Sequence, residues 1–372
     1  MTQDAWNAFL DDLDTALSSR NITSPVEILK ADGGTMSLQA ARHRPCETVF
    51  SGPAASTMGA WALKRSDKNS VVLDIGGTTT DISLLIEGQP LYASKGARIN
   101  GQYTHIKAFS VRSVALGGDS PLLTEGQVVT PGKTRLGPAA CFNGPRATVT
   151  DLFNHMYSLG IGNAEISSQA MQSLAAEVKT DAARLCEELQ AYILDSLQRE
   201  IAHMFTEWEN EPAYRVWEVV HGRKFKLDEI IGIGAAAHAI VPALAAKMNV
   251  DCTIVPFAPV ANALGACVAR PTLALDLHID TQQNSYTSDQ EGITGKLDSP
   301  GAFKIDQARR LAEKLLFDLA QQRGMAEYAE DAEIVREEQF NIIRGWSTSG
   351  RIFEIGIQVA PGFIKEYQGV SK

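Results

Sequence analysis

The sequence predicts an α/β protein, a mixed sheet with packed helices, followed by a small C-terminal α+β unit. Three observations carry this. "DEIIGIGAAAHAIVPALAAKMNVDCTIVP" (228–256) reads strand, glycine turn, alanine-rich helix, strand, a compact β-α-β unit. "VVLDIGGTTTDIS" (71–83) is an apolar run ending in Asp74, a Gly-Thr turn, and a second apolar run after Asp81. Between them Met171, Leu174, Val178, Ala182, Leu185, Leu189, Ile193, Leu197, Ile201 and Met204 recur every three or four residues. That spacing puts an apolar stripe on one face of a long core helix running from about Ala164 to Phe205.

The remaining elements follow in order. Trp6, Phe9, Leu10, Leu13 and Leu17 stand at helical spacing, with Asn21 as a C-terminal stop. "VEILKADGG" reads as a buried strand entering a glycine turn, and "SGPAASTMGAWALK" (51–64) as a loop feeding a short helix with Pro53 near its first turn. Strands are expected at Val71–Leu73, Ile82–Ile86 and Pro90–Ala93, the last two separated by Glu87-Gly88. Residues 116–150 are rich in Gly and Pro and the least regular of the front half, and a helical insertion is expected over about 151–210. "TQQNSYTSDQEGITGKLDSPG" (281–301) is polar and turn-rich, which marks a linker between a 1–280 lobe and a 302–372 unit. That last unit shows a helix (Ile305, Ala308, Leu311, Leu315, Leu319, stopped by Gly324) and a hairpin, about Glu333–Ile343 and Arg351–Val359, around "GWSTSG". No internal repeat of 20 to 50 residues is present.

Composition narrows the function. The 372 residues are 44% hydrophobic and 21% charged, as in a globular chain, and no apolar run approaches the roughly 20 residues of a membrane span. "MTQDAWNAFLDDLD" is acidic and amphipathic and fits neither a signal nor a transit peptide. Cys46, Cys141, Cys186, Cys252 and Cys267 have no paired spacing, which points to reduced thiols in the cytoplasm rather than disulfides or zinc. A net charge of −10 without a Lys/Arg run argues against a nucleic-acid partner.

Two stretches carry chemistry. In Asp74-Ile75-Gly76-Gly77-Thr78-Thr79-Thr80-Asp81, glycines let the backbone approach an anion, and their N–H groups can donate to phosphate oxygens. Thr78 and Thr79 add hydroxyl donors, and Asp74 is placed to hold Mg²⁺ directly or through water. The same letters also suit a tight β-hairpin whose Asp and Thr side chains satisfy turn backbone. In Gly232-Ile233-Gly234-Ala235-Ala236-Ala237-His238, a small-residue turn opening a helix lets a flat ring or phosphate lie close to the backbone, or serves close helix–strand packing. His238 is read as making a polar contact or packing.

Together these stretches resemble the actin, Hsp70 and sugar-kinase ATPase fold, whose ribonuclease H-like lobes carry a D-x-G-G-T phosphate hairpin and a later adenosine turn. A closer resemblance is to the hydantoinase/5-oxoprolinase A family. It is carried by "KADGGTMS" (30–37), "FSGPAASTMGA" (50–60), "LDIGGTTTDIS" (73–83), "VRSVALGGDS" (111–120), "GPAACFNGPRATVTD" (137–151), "GIGAAAHAIVPALAAKMN" (232–249) and "VPFAPVANALGA" (255–266), in family order. The resemblance implies ATP and Mg²⁺ as cofactors and a small cyclic amide, a hydantoin or 5-oxoproline, as substrate. ATP would phosphorylate the amide oxygen so that water can displace it. Asp74 would be the Mg²⁺-associated acid and, with Thr78, catalytic. Gly76, Gly77, Thr78 and Thr79 would hold phosphate, Gly232, Gly234 and Ala235 the adenosine, and Asp81 would brace the hairpin.

Departures are specific. Asp119 stands where the family commonly has a third glycine, as a second metal or substrate group or a turn residue, and Ala235 and Ala236 stand where Gly and Pro are frequent. Family members begin with a separate first lobe carrying its own D-x-G-G-T-x-T-D motif. "ILKADGGTMSLQ" (28–39) lacks the residue between Asp and Gly, and no apolar strand is expected to return after it. The expectation is therefore a second lobe and C-terminal part: a split gene product, a truncated chain or a reduced homologue. Expected partners are a first-lobe polypeptide and/or a second hydantoinase-type subunit, with residues 282–372 closing over the site or holding that partner. The alternatives are an ATP-dependent ligase or kinase of a small molecule, and a non-catalytic interaction subunit.

Overall fold

The computed structural model describes residues 3–99, 101–211, 225–288, 291–345 and 347–369. Met1, Asp289 and Gln290 of the expected linker, and Trp346 of the expected hairpin tip lie outside the described residues. Contacts gather into two units, Lys30–Gly33 with Cys46–Val268 and Tyr367–Lys372, and Met1–Leu29 with Gly34–Pro45 and Ala269–Glu366.

The larger unit, centred on Cys46–Val268, is a mixed six-stranded sheet between helices. Ser70–Ile75 is its middle strand. It pairs antiparallel with Thr80–Ile86 on one side and parallel with Glu229–Ile233 on the other, and Asp251–Ile254 runs parallel outside the latter. Val111–Val114 and the short Gln89–Pro90 both pair with Thr80–Ile86. The β-α-β unit forms as expected, with the helix Ala237–Met248 as its crossover. Glu87 and Gly88, both at positive φ, make the tight turn expected between strands, and a Cβ on Gly88 would stand 1.9 Å from the Ser66 carbonyl oxygen.

Alternation along the strands sends their two faces into different cores. Val71, Leu73, Ile75, Ile82 and Leu84 pack with Leu152 and Phe153 of the helix Val149–Tyr157 and with the stripe of the long helical region. Val72, Leu85, Ile231 and Ile233 pack on the other side with Ala60 and Ala261. There the helices Ser51–Leu63 and Ala261–Val268 cross with backbones in contact. A Cβ on Gly59 would stand 2.0 Å from the Ala261 carbonyl oxygen, and one on Gly265 would stand 2.0 Å from that of Ala55.

The single long helix expected over Ala164 to Phe205 is two helices, Ala164–Glu177 and Ala182–Glu209. Lys179 turns to φ 55°, and the Asp181 carboxylate caps the second helix by accepting the Arg184 N–H. The apolar stripe continues through the break because both helices pack on the same core, so periodicity alone does not reveal it.

The second unit contains a five-stranded antiparallel sheet in the order Ile293–Lys296, Ser285–Ser288, Leu273–Asp280, Ser347–Val359, Ala332–Arg344. The C-terminal hairpin forms as expected. The contacts divide the chain differently from the expected 1–280, 281–301 and 302–372. Leu273–Asp280 pairs with Ser347–Val359, and two strands of the same sheet lie inside the stretch read as a linker. Those strands, "SYTS" and "ITGK", are short and polar, so they carry no periodic apolar signature. The helix Ile305–Gln322 buries Ala308, Ala312, Leu316 and Ala320, with Leu311, Leu315 and Leu319 at the margin, a stripe turned slightly from the expected one. The helix Gln3–Ser18 buries Trp6 and Leu10 with Met36 and Ala41, and Trp6 Nε1 donates to the Ala41 carbonyl at 2.8 Å. A strand does return after "KADGG". Thr35–Ser37 pairs antiparallel with Glu27–Leu29, correcting the expectation of none, since three residues suffice when backbone pairing rather than an apolar run makes the contact.

Candidate functional site

Asp74 is the next-to-last residue of the middle strand, and Asp81 lies directly across from it in the antiparallel register, with Gly76 to Thr79 forming the turn between. Gly76 N–H closes the turn by donating to the Thr79 carbonyl at 3.0 Å. Thr80 is buried, and its hydroxyl donates to the Leu116 carbonyl at 2.6 Å, which ties the hairpin to the next glycine segment. Among the described residues, the N–H groups of Gly77, Thr78 and Thr79 meet no acceptor within the protein.

Two other turns close on this one. Gly118 N–H donates to the Gly76 carbonyl at 2.9 Å, and Asp119 N–H donates to the Gly77 carbonyl at 2.7 Å. The fit is tight enough to require glycine: a Cβ on Gly117 would lie 2.6 Å from Gly77 and Thr78 backbone. From the β-α-β unit, Ala236 N–H donates to the Ile75 carbonyl at 3.0 Å. Gly234, at φ +88°, lies so close to Asp74 that a Cβ would be 2.5 Å from its Oδ1. Three glycine segments far apart in sequence thus converge on the Asp74 hairpin, and the backbone stays bare where they meet.

The expected adenosine residues do not all belong here. Gly234 and Ala235 lie at the convergence, Ala235 exposed. Gly232 is buried in its strand, and a Cβ there would meet Ile254 Cδ1 at 2.5 Å and Val241 Cγ2 at 3.0 Å. It is a packing glycine, placed there because the crossover helix lies flat on the strand. His238 is exposed on that helix. Thr78 is exposed at the tip of the turn, while Gly76, Gly77 and Thr79 are half-buried.

Three residues here have no signal in the sequence pattern. Ser56, buried in the helix Ser51–Leu63, donates its hydroxyl hydrogen bond to Asp74 Oδ2. Arg135 pairs with Asp119 at 2.8 Å. The Thr150 hydroxyl lies under Gly118, 2.6 Å from where a Cβ would be. Asp119 sits over the phosphate-type turn: its Oδ2 is 2.6 Å from the Cβ position of Gly77.

Burial raises the Asp74 carboxyl above its ordinary range, with the Ser56 hydrogen bond pulling it part of the way back. Asp81 is raised by burial too. A Ser113 hydrogen bond opposes this, and the Asp74 charge adds to it. Two facing acids held in this way are suited to a cation. Among the described residues no group of three or more His, Cys, Asp or Glu side chains could hold a metal ion by itself. Asp74 and Asp81 are of the number and kind of carboxylate that Mg²⁺ takes beside waters and phosphate oxygens. The turn's free N–H groups and the absence of Cβ atoms fit phosphate.

A family model described as hydantoinase/oxoprolinase matches residues 1–274. No curated protein matches the chain. Among solved structures, a nucleotide-free acetone carboxylase, described for the mechanism of ATP-dependent acetone carboxylation, superposes with TM-score 0.64. It is 14% identical over 96% of this chain and 55% of that one, so this chain spans about half that protein's length. A PilM–PilN type IV pilus biogenesis complex (15% identity, 62% of this chain and 57% of that one, TM-score 0.28) is more distant. So is the ethanolamine utilization protein EutJ from Carboxydothermus hydrogenoformans (17%, 57% and 54%, TM-score 0.23). The fold is that of an actin-like ATPase lobe. With the model match covering nearly three quarters of its length, the chain belongs to the hydantoinase/oxoprolinase family.

Proposed function

We propose that this chain supplies one phosphate-gripping side of an ATP-dependent enzyme that hydrolyses a cyclic amide of the hydantoin or 5-oxoproline type. The observation that carries the reading is the convergence of the three glycine segments on the Asp74–Asp81 hairpin, with three consecutive N–H groups left for an acceptor. Gly77, Thr78 and Thr79 would hold phosphate through those N–H groups, and Asp74, oriented by Ser56, would hold Mg²⁺ directly or through water. Asp81 would share that charge across the strand pair, while Arg135 holds Asp119 at the edge of the turn. Gly234 and Ala235 would leave room for the adenosine. ATP, with Mg²⁺ bound, would phosphorylate the resonance-stabilised amide oxygen. Water would add to the activated carbon, and the ring C–N bond would break with the nitrogen taking a proton. The resulting acyl phosphate would be hydrolysed to carboxylate and inorganic phosphate.

A second reading, ATP-dependent carboxylation of a small carbonyl compound, is favoured by the structural likeness to acetone carboxylase. Both readings use the same phosphate turns and differ in the substrate. Under either, a first-lobe polypeptide or a second hydantoinase-type subunit would complete the cleft.

Calorimetric titration of the chain with ATP·Mg²⁺, alone and with a first-lobe polypeptide from a family member, tests the reading. Saturable binding in either arm that is lost in Asp74→Ala supports it. Binding that appears only with the added lobe identifies a split enzyme. Absence of binding in both arms would overturn it and leave an interaction subunit.

A further inference from the structure

At the outer edge of the larger unit's sheet, a cavity of about 530 Å³ opens beside Val111–Val114 and the end of the helix Ala182–Glu209. Its size suits a small organic ligand. Tyr92, Tyr103, Phe109 and Trp208 supply aromatic wall, and the Tyr92 and Phe109 rings lie 5.2 Å apart. None of these residues takes part in the phosphate turns.

The cations here are held on a folded loop. Ala93 N–H donates to the Ala108 carbonyl at 3.0 Å, Ala97 N–H to that of Ile106 at 2.8 Å, and Thr104 N–H to that of Ala97 at 3.0 Å. Gly96 takes φ +72°, with no room for a Cβ, which would stand 2.5 Å from the Ile106 oxygen. This loop places Lys95 Nζ 5.2 Å and Arg98 Cζ 5.6 Å from the centre of the Tyr103 ring.

The charges at the cavity are unequally matched. Arg112 is saturated by Glu200 at 2.9 Å and Glu207 at 2.7 Å, and Arg98 reaches Glu207 at 3.5 Å. Among the described residues no carboxylate lies within 4.0 Å of Lys95 Nζ. Glu207 and Glu211 line the same cavity and would repel a polyanion such as a triphosphate. Glu211, like Lys95, has no oppositely charged side chain within 4.0 Å among the described residues. A single negative charge on a flat molecule is therefore suited to the ammonium end of the aromatic wall, and the carboxylates disfavour any higher negative charge.

We propose that this cavity binds a small organic monocarboxylate with a flat face, its carboxylate on Lys95 and its face against the Tyr103 and Tyr92 side. The site is distinct from the phosphate turns and stands whether or not the ATP reading holds.

Benzoate, benzylamine and inorganic phosphate are the probes, followed on the full chain by saturation-transfer NMR and calorimetry. Benzoate is expected to bind saturably and benzylamine and phosphate at least about fivefold more weakly. Lys95→Gln should weaken benzoate by about fivefold, the effect of one partly exposed ion pair, while Lys95→Arg retains it. Tyr103→Leu should weaken it independently. Lys95 and Tyr103 are exposed, and unchanged melting curves check that the variants fold. Absence of benzoate binding to the native chain, equal binding of benzylamine or phosphate, or benzoate affinity unmoved by both Lys95→Gln and Tyr103→Leu would overturn the proposal.

Discussion

Asp74 and Asp81 face each other directly across the hairpin, so two carboxylates flank one glycine turn. Like charges opposite one another in an antiparallel pair are destabilising by about 0.2–1 kcal/mol. Both carboxyls are raised above 3.8 in the folded chain, so the folded state binds more protons than the unfolded one. Their contribution to stability is therefore greatest at acid pH and falls as pH rises from about 3.8 through the folded values.

Asp81→Asn, which removes one charge and keeps the shape, should leave stability near that of the native chain at pH 4. The melting temperature should exceed the native one by about 1–2 °C at pH 7. Millimolar Mg²⁺ should narrow that gap by stabilising the native chain alone. Thermal melts from pH 4 to 8, with and without Mg²⁺, check both statements, and a gap that does not grow with pH would refute the first.

Gly117→Ala should abolish ATP·Mg²⁺ binding and cost about 1–3 kcal/mol of stability, because its Cβ would press on the backbone of Gly77 and Thr78 rather than on a side chain that can move. Gly52→Ala is the contrasting change. It sits in the helix Ser51–Leu63 with nothing within 4 Å of its Cβ position, and it should be neutral or stabilising by up to about 1 kcal/mol. Urea denaturation of the pair separates steric closeness from the general effect of losing a glycine.

Asp151 is a structural hub. Its fully buried carboxylate accepts from the N–H groups of Ala140, Cys141 and Thr148 at 2.8–2.9 Å and from the Thr148 and Ser167 hydroxyls at 3.1 and 2.8 Å. Asp151→Asn turns an acceptor-only group into one that presents an NH₂ to those donors, and it should cost about 3 kcal/mol or more in chemical denaturation.

The five cysteines should separate by reactivity. Cys141 and Cys186 are buried, each pushed up to about 11, chiefly by burial, whereas Cys46, Cys252 and Cys267 are exposed. A disulfide reagent at pH 8 should label Cys46 and Cys267 quickly, Cys252 more slowly because partial burial and the Glu229 charge raise its thiol as well, and the other two only on unfolding, since the thiolate is the reacting form. Mass spectrometry of the labelled peptides identifies each.

The β-α-β unit, the Gly-Thr hairpin and the C-terminal hairpin were legible because each is written in neighbouring residues: an apolar run, a turn, and an answering run. The same holds for Asp74 and the glycines beside it, whose order among the family blocks carries the assignment to the phosphate turn. The break at Lys179 was not legible, since its flanking helices share one apolar core, and neither were the polar strands Ser285–Ser288 and Ile293–Lys296.

Sequence alone determined the class of this protein, its family and the hairpin that centres the candidate site. Tertiary structure decided which residues meet there. It laid Gly117–Asp119 on the hairpin turn, set Ser56 against Asp74, paired Arg135 with Asp119 and moved Gly232 into packing. It also joined residues near the N-terminus to the unit that holds the C-terminal hairpin. The reason is physical: local patterns encode which face of an element is buried, but contacts between residues tens of positions apart depend on how several buried faces pack together.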